Sequence, residues 1–345
     1  MIRFAKAQDI KVGVFCVEGG ERGRRELGRI GEAGMIPRAM VCSVDERPLL
    51  TPGDTHSIEI YRDLSSLLDK SDTNLVVVTA PTNIHAEIGM QCLQADRSVI
   101  IYPPMALRVR ECKDLIAQAF RTSRLLSVAH CRHWDGCVTR AKEIVDGGKI
   151  GSVIRVEIFF DQPHISKEAW QHKKSQSGGI LYSGIHLLEY ALQFVDSEIE
   201  EVSGFSTLGL TTQESSESQD NIEDIASVIV RFANGARIDM SVSSIDAHLS
   251  LHREHEVVVY GTLGVYSFNS SNWELVRSNE RGEVVTEKGE NLPDQPGEFY
   301  KNIVAHLVEE EELIINPEWA FRNIQILDIA NKSVLLNRVI SILPE

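Results

Sequence analysis

The sequence predicts an α/β chain with two parts. The N-terminal part is a doubly wound parallel sheet; the C-terminal part is an α/β domain with an open, mostly antiparallel sheet. Three observations carry this. Buried-strand patterns alternate with helical ones from Lys11 to His130, the order of a parallel sheet covered on both faces. From Ile150 the strand-like runs alternate apolar with polar and follow one another without long helices between them, as in a sheet with one exposed face. The length, 345 residues, is long for one domain and comfortable for two. The division is expected at 1–128 and 129–345, with the last helices free to pack back on the first part.

The first strand is expected at Lys11–Val17, followed by Glu18-Gly19-Gly20-Glu21-Arg22-Gly23 and a helix from Arg24 to about Ala33. Strand, glycine turn and helix are the setting of a dinucleotide site. The pattern G-x-G-x-x-G is incomplete, because Glu18 stands in the first glycine's place with Gly20 and Gly23 following. A carboxylate there repels a diphosphate unless it points away. Arg22, Arg24 and Arg25 offset it and bind phosphate, or they form a solvated first helical turn. The second strand is expected at Arg38–Asp45, ending in Asp45, a little over 20 residues after the turn. That is the place of a carboxylate for a ribose hydroxyl, or of an Asp that caps the next turn.

A short helix at Tyr61–Leu68 precedes the strand Asn74–Ala80, rich in β-branched residues, which ends in Pro81-Thr82-Asn83-Ile84-His85. The strand Ser98–Ile101 breaks off in Tyr102-Pro103-Pro104, and a helix runs from Leu107 to about Arg121. Pro104 has no N–H and forces Pro103 out of the α region, so the chain turns where a strand emerges. In open α/β sheets ligands bind at the carboxyl ends of the strands. Leu125–His130 is a further strand, leading to Cys131-Arg132-His133-Trp134 and a helix from Val138 to Asp146. In the C-terminal part a polar loop, 162–177, carries Trp170. Gly178-Gly179-Ile180-Leu181-Tyr182-Ser183-Gly184-Ile185-His186 then runs into an apolar helix to Val195. Strands are expected near 202–210, 224–233, 236–245, 254–260, 265–268 and 273–276. A Ser/Glu-rich loop is expected at 213–219, and closing helices at 299–312 and 319–343.

Composition excludes several classes. The hydrophobic and charged fractions, 43% and 25%, are ordinary for a globular chain. A net charge of −15 argues against nucleic acid and anionic membranes as partners. The six cysteines form no C-x-x-C pair and sit mostly in apolar runs, so reduced, partly buried thiols are expected and no metal site. No run has the length of a membrane span and no leader is visible, so a cytoplasmic location is expected.

These landmarks together resemble the Gfo/Idh/MocA family of oxidoreductases. The most specific are Ala80-Pro81-Thr82-Asn83-Ile84-His85, where the family has T-P-N-x-x-H, and Lys142–Gly151, close to its K-x-x-I-x-x-G-x-I-G. Glu223-Asp224-Ile225-Ala226, Phe232-Ala233-Asn234-Gly235 and Val259–Gly264 also match. The resemblance implies an N-terminal Rossmann domain for NAD or NADP and a C-terminal sheet carrying the substrate pocket. Sugars, inositols or other polyols are the implied substrates, and a homo-oligomer through the exposed face of that sheet is implied as well. Carried over residue by residue, the cofactor would meet Gly19, Gly20, Gly23, Arg22, Asp45, Ala80, Pro81, His85 and Pro104. The substrate would meet Arg132, Trp170 and Pro103, and the catalytic candidates are His186, Tyr182 and Tyr102.

Three motifs depart from the family. Its E-K-P, with a catalytic lysine, is Tyr102-Pro103-Pro104 here. Its D-x-G-x-H is Tyr182-Ser183-Gly184-Ile185-His186, and the glycine turn is degraded at Glu18. Hydride transfer from a carbinol carbon requires the hydroxyl proton to reach a base, and a cation steadies the developing oxyanion. Pro103 does neither. His186 remains as a base; Tyr102 and Tyr182 either donate hydrogen bonds, act as acids if a neighbour lowers their pKa, or fill space. The expectation is a divergent NAD(P)-dependent oxidoreductase. The alternatives are a catalytically silent relative that binds a ligand or partner, and a non-redox enzyme on the same scaffold.

Overall fold

The computed structural model describes residues 2–16, 20–42, 58–161, 168–208, 220–245 and 255–342. The chain forms two compact units. Met1–Cys131 with Gly297–Ile324 make the first, and Arg132–Pro296 with Gln325–Glu345 the second.

The first unit holds β1 (Lys11–Cys16), β2 (Ile36–Val41), β3 (Glu59–Tyr61), β4 (Leu75–Thr79), β5 (Ser98–Ile101) and β6 (Leu126–Val128). Among the described residues they form a six-stranded sheet in the order β3-β2-β1-β4-β5-β6. Every pairing is parallel. The order reverses at β1, so the carboxyl ends of β1 and β4 flank the switch point where such sheets bind ligands. The connecting helices are α1 (Gly20–Glu32), α2 (Leu64–Lys70), α3 (His85–Gln94) and α4 (Val109–Thr122). Val76, Val77, Val78, Val99, Ile100 and Ile101 are wholly buried, as strands covered on both faces require. The first helix begins at Gly20 rather than Arg24, so the glycine turn itself enters the helix. The second strand lies earlier than the sequence suggests, at Ile36–Val41.

The second unit holds α5 (Gly136–Asp146), β7 (Val153–Asp161), α6 (Lys174–Ser177), α7 (Ile185–Leu192), β8 (Ile199–Thr207), β9 (Ile225–Phe232), β10 (Arg237–Ser243), β11 (His255–Gly261), β12 (Gly264–Phe268), β13 (Asn272–Ser278) and β14 (Val284–Glu290). α8 (Glu298–Glu309), α9 (Pro317–Leu336) and β15 (Ile340–Ser341) close the chain. Among the described residues the sheet has nine strands, in the order β14-β13-β12-β11-β7-β10-β9-β8-β15. One pair, β7 with β10, is parallel and the others are antiparallel.

Alternation is clean in this sheet. Val156, Ile158, Val228, Val230, Ile238, Met240, Val257 and Val259 are buried, while their neighbours along each strand face outward. On the outward face, Phe205 pairs with Ser227, Ser227 with Ser241 and Ser241 with Phe159. β14 and β15 were not expected from the sequence; the closing helix expected to reach 343 ends at Leu336 and β15 follows it. The VVTEKGE of β14 reads as polar coil, and its lysine and glutamates suit an edge strand that must not recruit another chain. Among the described residues, no helix is long and apolar enough to cross a membrane.

Candidate functional site

The first unit brings together several of the residues expected to serve a cofactor. Gly23 lies in α1, and a Cβ there would stand 2.5 Å from Met40 Cε and 3.2 Å from Cys16 Cβ. The third glycine of the turn therefore lets α1 lie close on β1 and β2, the role such a glycine has in a dinucleotide site. Gly20 is the first residue of α1. Gly19 and Asp45, together with Glu18, lie outside the described residues.

At the ends of β4 and β5 a buried histidine joins two turns. His85 Nδ1 is 2.8 Å from the Pro104 carbonyl and Nε2 is 2.7 Å from the Ala80 carbonyl. Burial, above all, holds this imidazole below its usual pKa, and the nearby Arg22 charge acts in the same direction. A neutral ring has one N–H, so it donates to one of these carbonyls at a time. His85 thus fastens the β4 turn to the Pro103-Pro104 turn and presents no free ring nitrogen. Pro81 and Pro103 are half-buried beside it, and the Pro103–Pro104 peptide is cis.

Tyr102 sits at the mouth of β5, with the Glu26 carboxylate as its largest charged influence. Glu26 is wholly buried on α1. Its second oxygen accepts from Tyr300 Oη at 2.6 Å, and Arg29 Nη1 donates to the first at 2.8 Å. Burial, then the Glu26 charge, pushes the Tyr102 pKa far up. The sequence left open an acidic Tyr102 activated by a neighbour; its neighbours work the other way. Tyr102 therefore stays protonated under the influence of Glu26.

The second unit positions the remaining candidates. Gly178-Gly179 lead into a 3-10 turn, Ile180–Gly184, which runs directly into α7. Gly184 allows this turn to lie on β10: a Cβ there would stand 2.9 Å from Val242 Cγ2 and 3.0 Å from Met240 Sδ. Tyr182 is buried in the turn, and His186, second residue of α7, is half-buried. Arg132 is exposed, and Trp170 Nε1 donates to Glu168 at 3.0 Å.

α7 carries polar groups that the sequence reading passed over. Glu189 and Tyr190 follow His186 at the three- and four-residue spacing that shares a helix face. Glu189 is wholly buried and stands 2.5 Å from His133 Nδ1. The Tyr190 hydroxyl donates to Asp135, whose pKa is raised to about 6 by burial despite that bond, with Asp294 and Glu189 adding like charge. Two polar residues at this spacing inside an otherwise apolar helix were the available signal. Among the described residues no cluster of His, Cys, Asp or Glu could hold a metal, and all six cysteines are buried thiols outside any disulfide.

The six-stranded parallel sheet and the nine-stranded mixed sheet define a chain of two α/β units, the first of the dinucleotide-binding type. Two family models agree. Residues 37–130 match the "Oxidoreductase family, NAD-binding Rossmann fold" and 138–267 match the "GFO/IDH/MocA C-terminal domain". The chain belongs to the Gfo/Idh/MocA family, and its first unit is that family's NAD-binding domain. The first match begins after the glycine turn, the stretch where this chain departs.

Among relatives, an uncharacterized oxidoreductase of Schizosaccharomyces pombe is 28% identical over 61% of this chain and 56% of its own length. The scyllo-inositol 2-dehydrogenase (NADP(+)) IolW of Bacillus subtilis is 26% identical over 50% of this chain and 53% of its own. The chain thus spans about half the length of the curated relatives it matches. The WlbA dehydrogenase of Bordetella pertussis, crystallised with NADH and UDP-GlcNAcA, shares the fold with a TM-score of 0.78 at 15% identity. That match covers 97% of this chain and 99% of that one.

The residues present fit a dinucleotide at the close approach of Gly23 and at the start of α1. They depart from it at Glu18, where the family's first glycine is missing.

Proposed function

We propose that the chain is a divergent NAD(P)-dependent oxidoreductase for a sugar, an inositol or a related small polar molecule, in which His186 carries the substrate proton. One observation carries this reading. Pro103 stands where the family's lysine does and burial with the Glu26 charge keeps Tyr102 protonated, so His186, half-buried at the head of α7, is the candidate group suited to act as a base. When bound, the nicotinamide would supply the hydride acceptor. His186 would take the hydroxyl proton as the carbinol carbon is oxidised. The buried Tyr182 phenol, in the place of the family's aspartate, would donate a hydrogen bond to the substrate oxygen. Arg132 and Trp170 would contact the rest of the polar ligand. The inositol dehydrogenase relative and the nucleotide-sugar complex of the structural neighbour support this substrate class.

The exposed face of the nine-stranded sheet supports a homo-oligomer, since Phe159 and Phe205 stand on it about half exposed, at 45% and 57%. A silent relative that binds such a ligand without turnover is the second reading, and Pro103, Tyr182 and Glu18 together favour it.

The test is calorimetry with NADH and NADPH, followed by absorbance at the reduced-nicotinamide band with a panel of inositols and sugars. The oxidoreductase reading expects nucleotide binding and turnover of one panel member. Binding of a panel member without turnover favours the silent relative, and no nucleotide binding at all contradicts both the cofactor assignment and the reaction.

A further inference from the structure

The turn that presents His186 is held from behind by a buried carboxylate that the proposed chemistry does not use. Glu223 is 4% exposed and sits two residues before β9. Its Oε2 accepts the Ile180 N–H at 3.1 Å, the first residue of the 3-10 turn that continues into α7. Its Oε1 accepts from the Lys174 ammonium on α6. Gly179, between the two, has φ +99, and a Cβ there would stand 2.6 Å from Glu223 Oε2, so only glycine lets the carboxylate come this close.

The segments around Glu223 are hydrogen-bonded to the sheet and to α9. Asp224 N donates to the Thr207 carbonyl at 3.0 Å and Ser244 N to the Asp224 carbonyl at 2.8 Å, which fixes the residue after Glu223 to the sheet. Asn331 Nδ2 donates to the Gly178 carbonyl at 2.9 Å and closes the other side of the turn. Lys174 is fixed in turn: its backbone N–H donates to the Asp220 carbonyl at 2.8 Å, and Ser175 donates to the Asp220 carboxylate at 2.6 and 2.7 Å. Trp170 lies four residues before Lys174 on the same loop.

We infer that Glu223 is a positioning residue for His186. By accepting the Ile180 N–H it sets where the turn begins, and hence where the first turn of α7 places the imidazole. Its pairing with Lys174 ties the Trp170 loop to the same anchor. This inference rests on the reading of His186 as the proton carrier. A misplacement of about 1 Å at a catalytic group costs about 100-fold in rate, so an anchor of this kind has a measurable effect without touching substrate.

The experiment compares the parent chain with Glu223→Gln, which keeps an acceptor for Ile180, and Glu223→Leu, which does not. Each is checked for folding by circular dichroism. The readout is the pH titration of His186, followed by NMR of the labelled imidazole carbon and assigned by loss of its signal in His186→Gln. Glu223→Leu should move the His186 midpoint by about half a pH unit or more, as expected when the surroundings of a titrating group change, and Glu223→Gln by less. A folded Glu223→Leu chain with an unchanged titration overturns the inference.

Should Glu223→Leu not fold, deuterium exchange at the Ile180 amide of the parent decides. Slowing by about 100-fold or more relative to an unstructured peptide supports the bond to Glu223, and free exchange overturns it. Where a substrate turns over, kcat should fall about tenfold or more in Glu223→Leu while the KM for nicotinamide nucleotide holds. The titration and exchange need no turnover. A parent chain that is inactive on every polyol therefore counts against the proposed reaction, while Glu223 is judged separately.

Discussion

Replacing Tyr300 by Phe isolates one bond of the Glu26 cluster. Tyr300 is wholly buried on α8 and its hydroxyl donates to Glu26 Oε2 at 2.6 Å. Phe keeps the ring and its edge contact with Phe299, whose centroid lies 5.1 Å away, so no cavity opens around the ring itself. What is lost is a hydrogen bond to a charged, fully buried acceptor, worth about 1.5–3 kcal/mol. For a domain of 150–250 residues each kcal/mol shifts Tm by about 2–4 °C, so a fall of roughly 3–12 °C is expected for the transition of the first unit.

The alkaline limb gives a second reading. Burial, then the Glu26 charge, raises the Tyr300 pKa well above its ordinary value. A raised folded-state pKa means the contribution is fully present below the unfolded value, about 10, and is lost as pH rises through the folded value. The parent should therefore lose stability above about pH 10, and Tyr300→Phe should lose less there. Scanning calorimetry from neutral pH upward reads both. A Tyr300→Phe transition within about 1 °C of the parent at neutral pH would refute the account of Glu26 as a carboxylate held by its donors.

Four further outcomes are expected. Asp135 has its pKa raised to about 6 by burial, so its charged form destabilises the fold and its contribution is lost as pH rises from about 4 to 6. Asp135→Asn, which leaves Tyr190 an acceptor, should flatten the pH dependence of Tm in that window, and an unchanged slope contradicts this. Gly136→Ala should destabilise the second unit, because the added Cβ would stand 1.7 Å from the Leu292 carbonyl oxygen; equal thermal transitions would show that the 292–294 segment yields. Glu18→Gly should tighten NAD(H) binding by removing a carboxylate from the diphosphate's approach, and calorimetry showing no gain counts against the repulsion argument. Light scattering of the parent and of Phe159→Asp should show an oligomer that dissociates, whereas a parent that is monomeric at micromolar concentration rules out assembly through the sheet.

The strands of the first unit were legible because burial on both faces writes continuous runs such as Leu75–Thr79 into the chain. The second sheet was legible through its alternation, except at β14, where both faces are wet and the period of two carries no apolar signal, and at the two-residue β15, which was read as the end of a helix. The histidine at 186 and the loss of lysine at 103 could be read from motif positions. What could not be read was the state of the groups: Tyr102 is kept protonated by burial and by the charge of Glu26, 76 positions earlier in the chain, whose cluster Tyr300 on α8 completes. Contacts of that separation leave no local pattern. The same holds for Glu223, whose role depends on a turn 43 residues away.

The central claim is that His186 carries the proton in a nicotinamide-linked oxidation. It is tested most directly by deuterium transfer. Inositols and sugars labelled at the carbinol carbon are incubated with the chain and NAD+ or NADP+, and the reduced nucleotide is analysed by mass spectrometry. The account predicts deuterium in the nucleotide with the parent chain and a loss of about 100-fold or more in His186→Ala, the scale of a removed general base. Transfer at the parent rate in His186→Ala, or none from any labelled polyol in the parent, contradicts it.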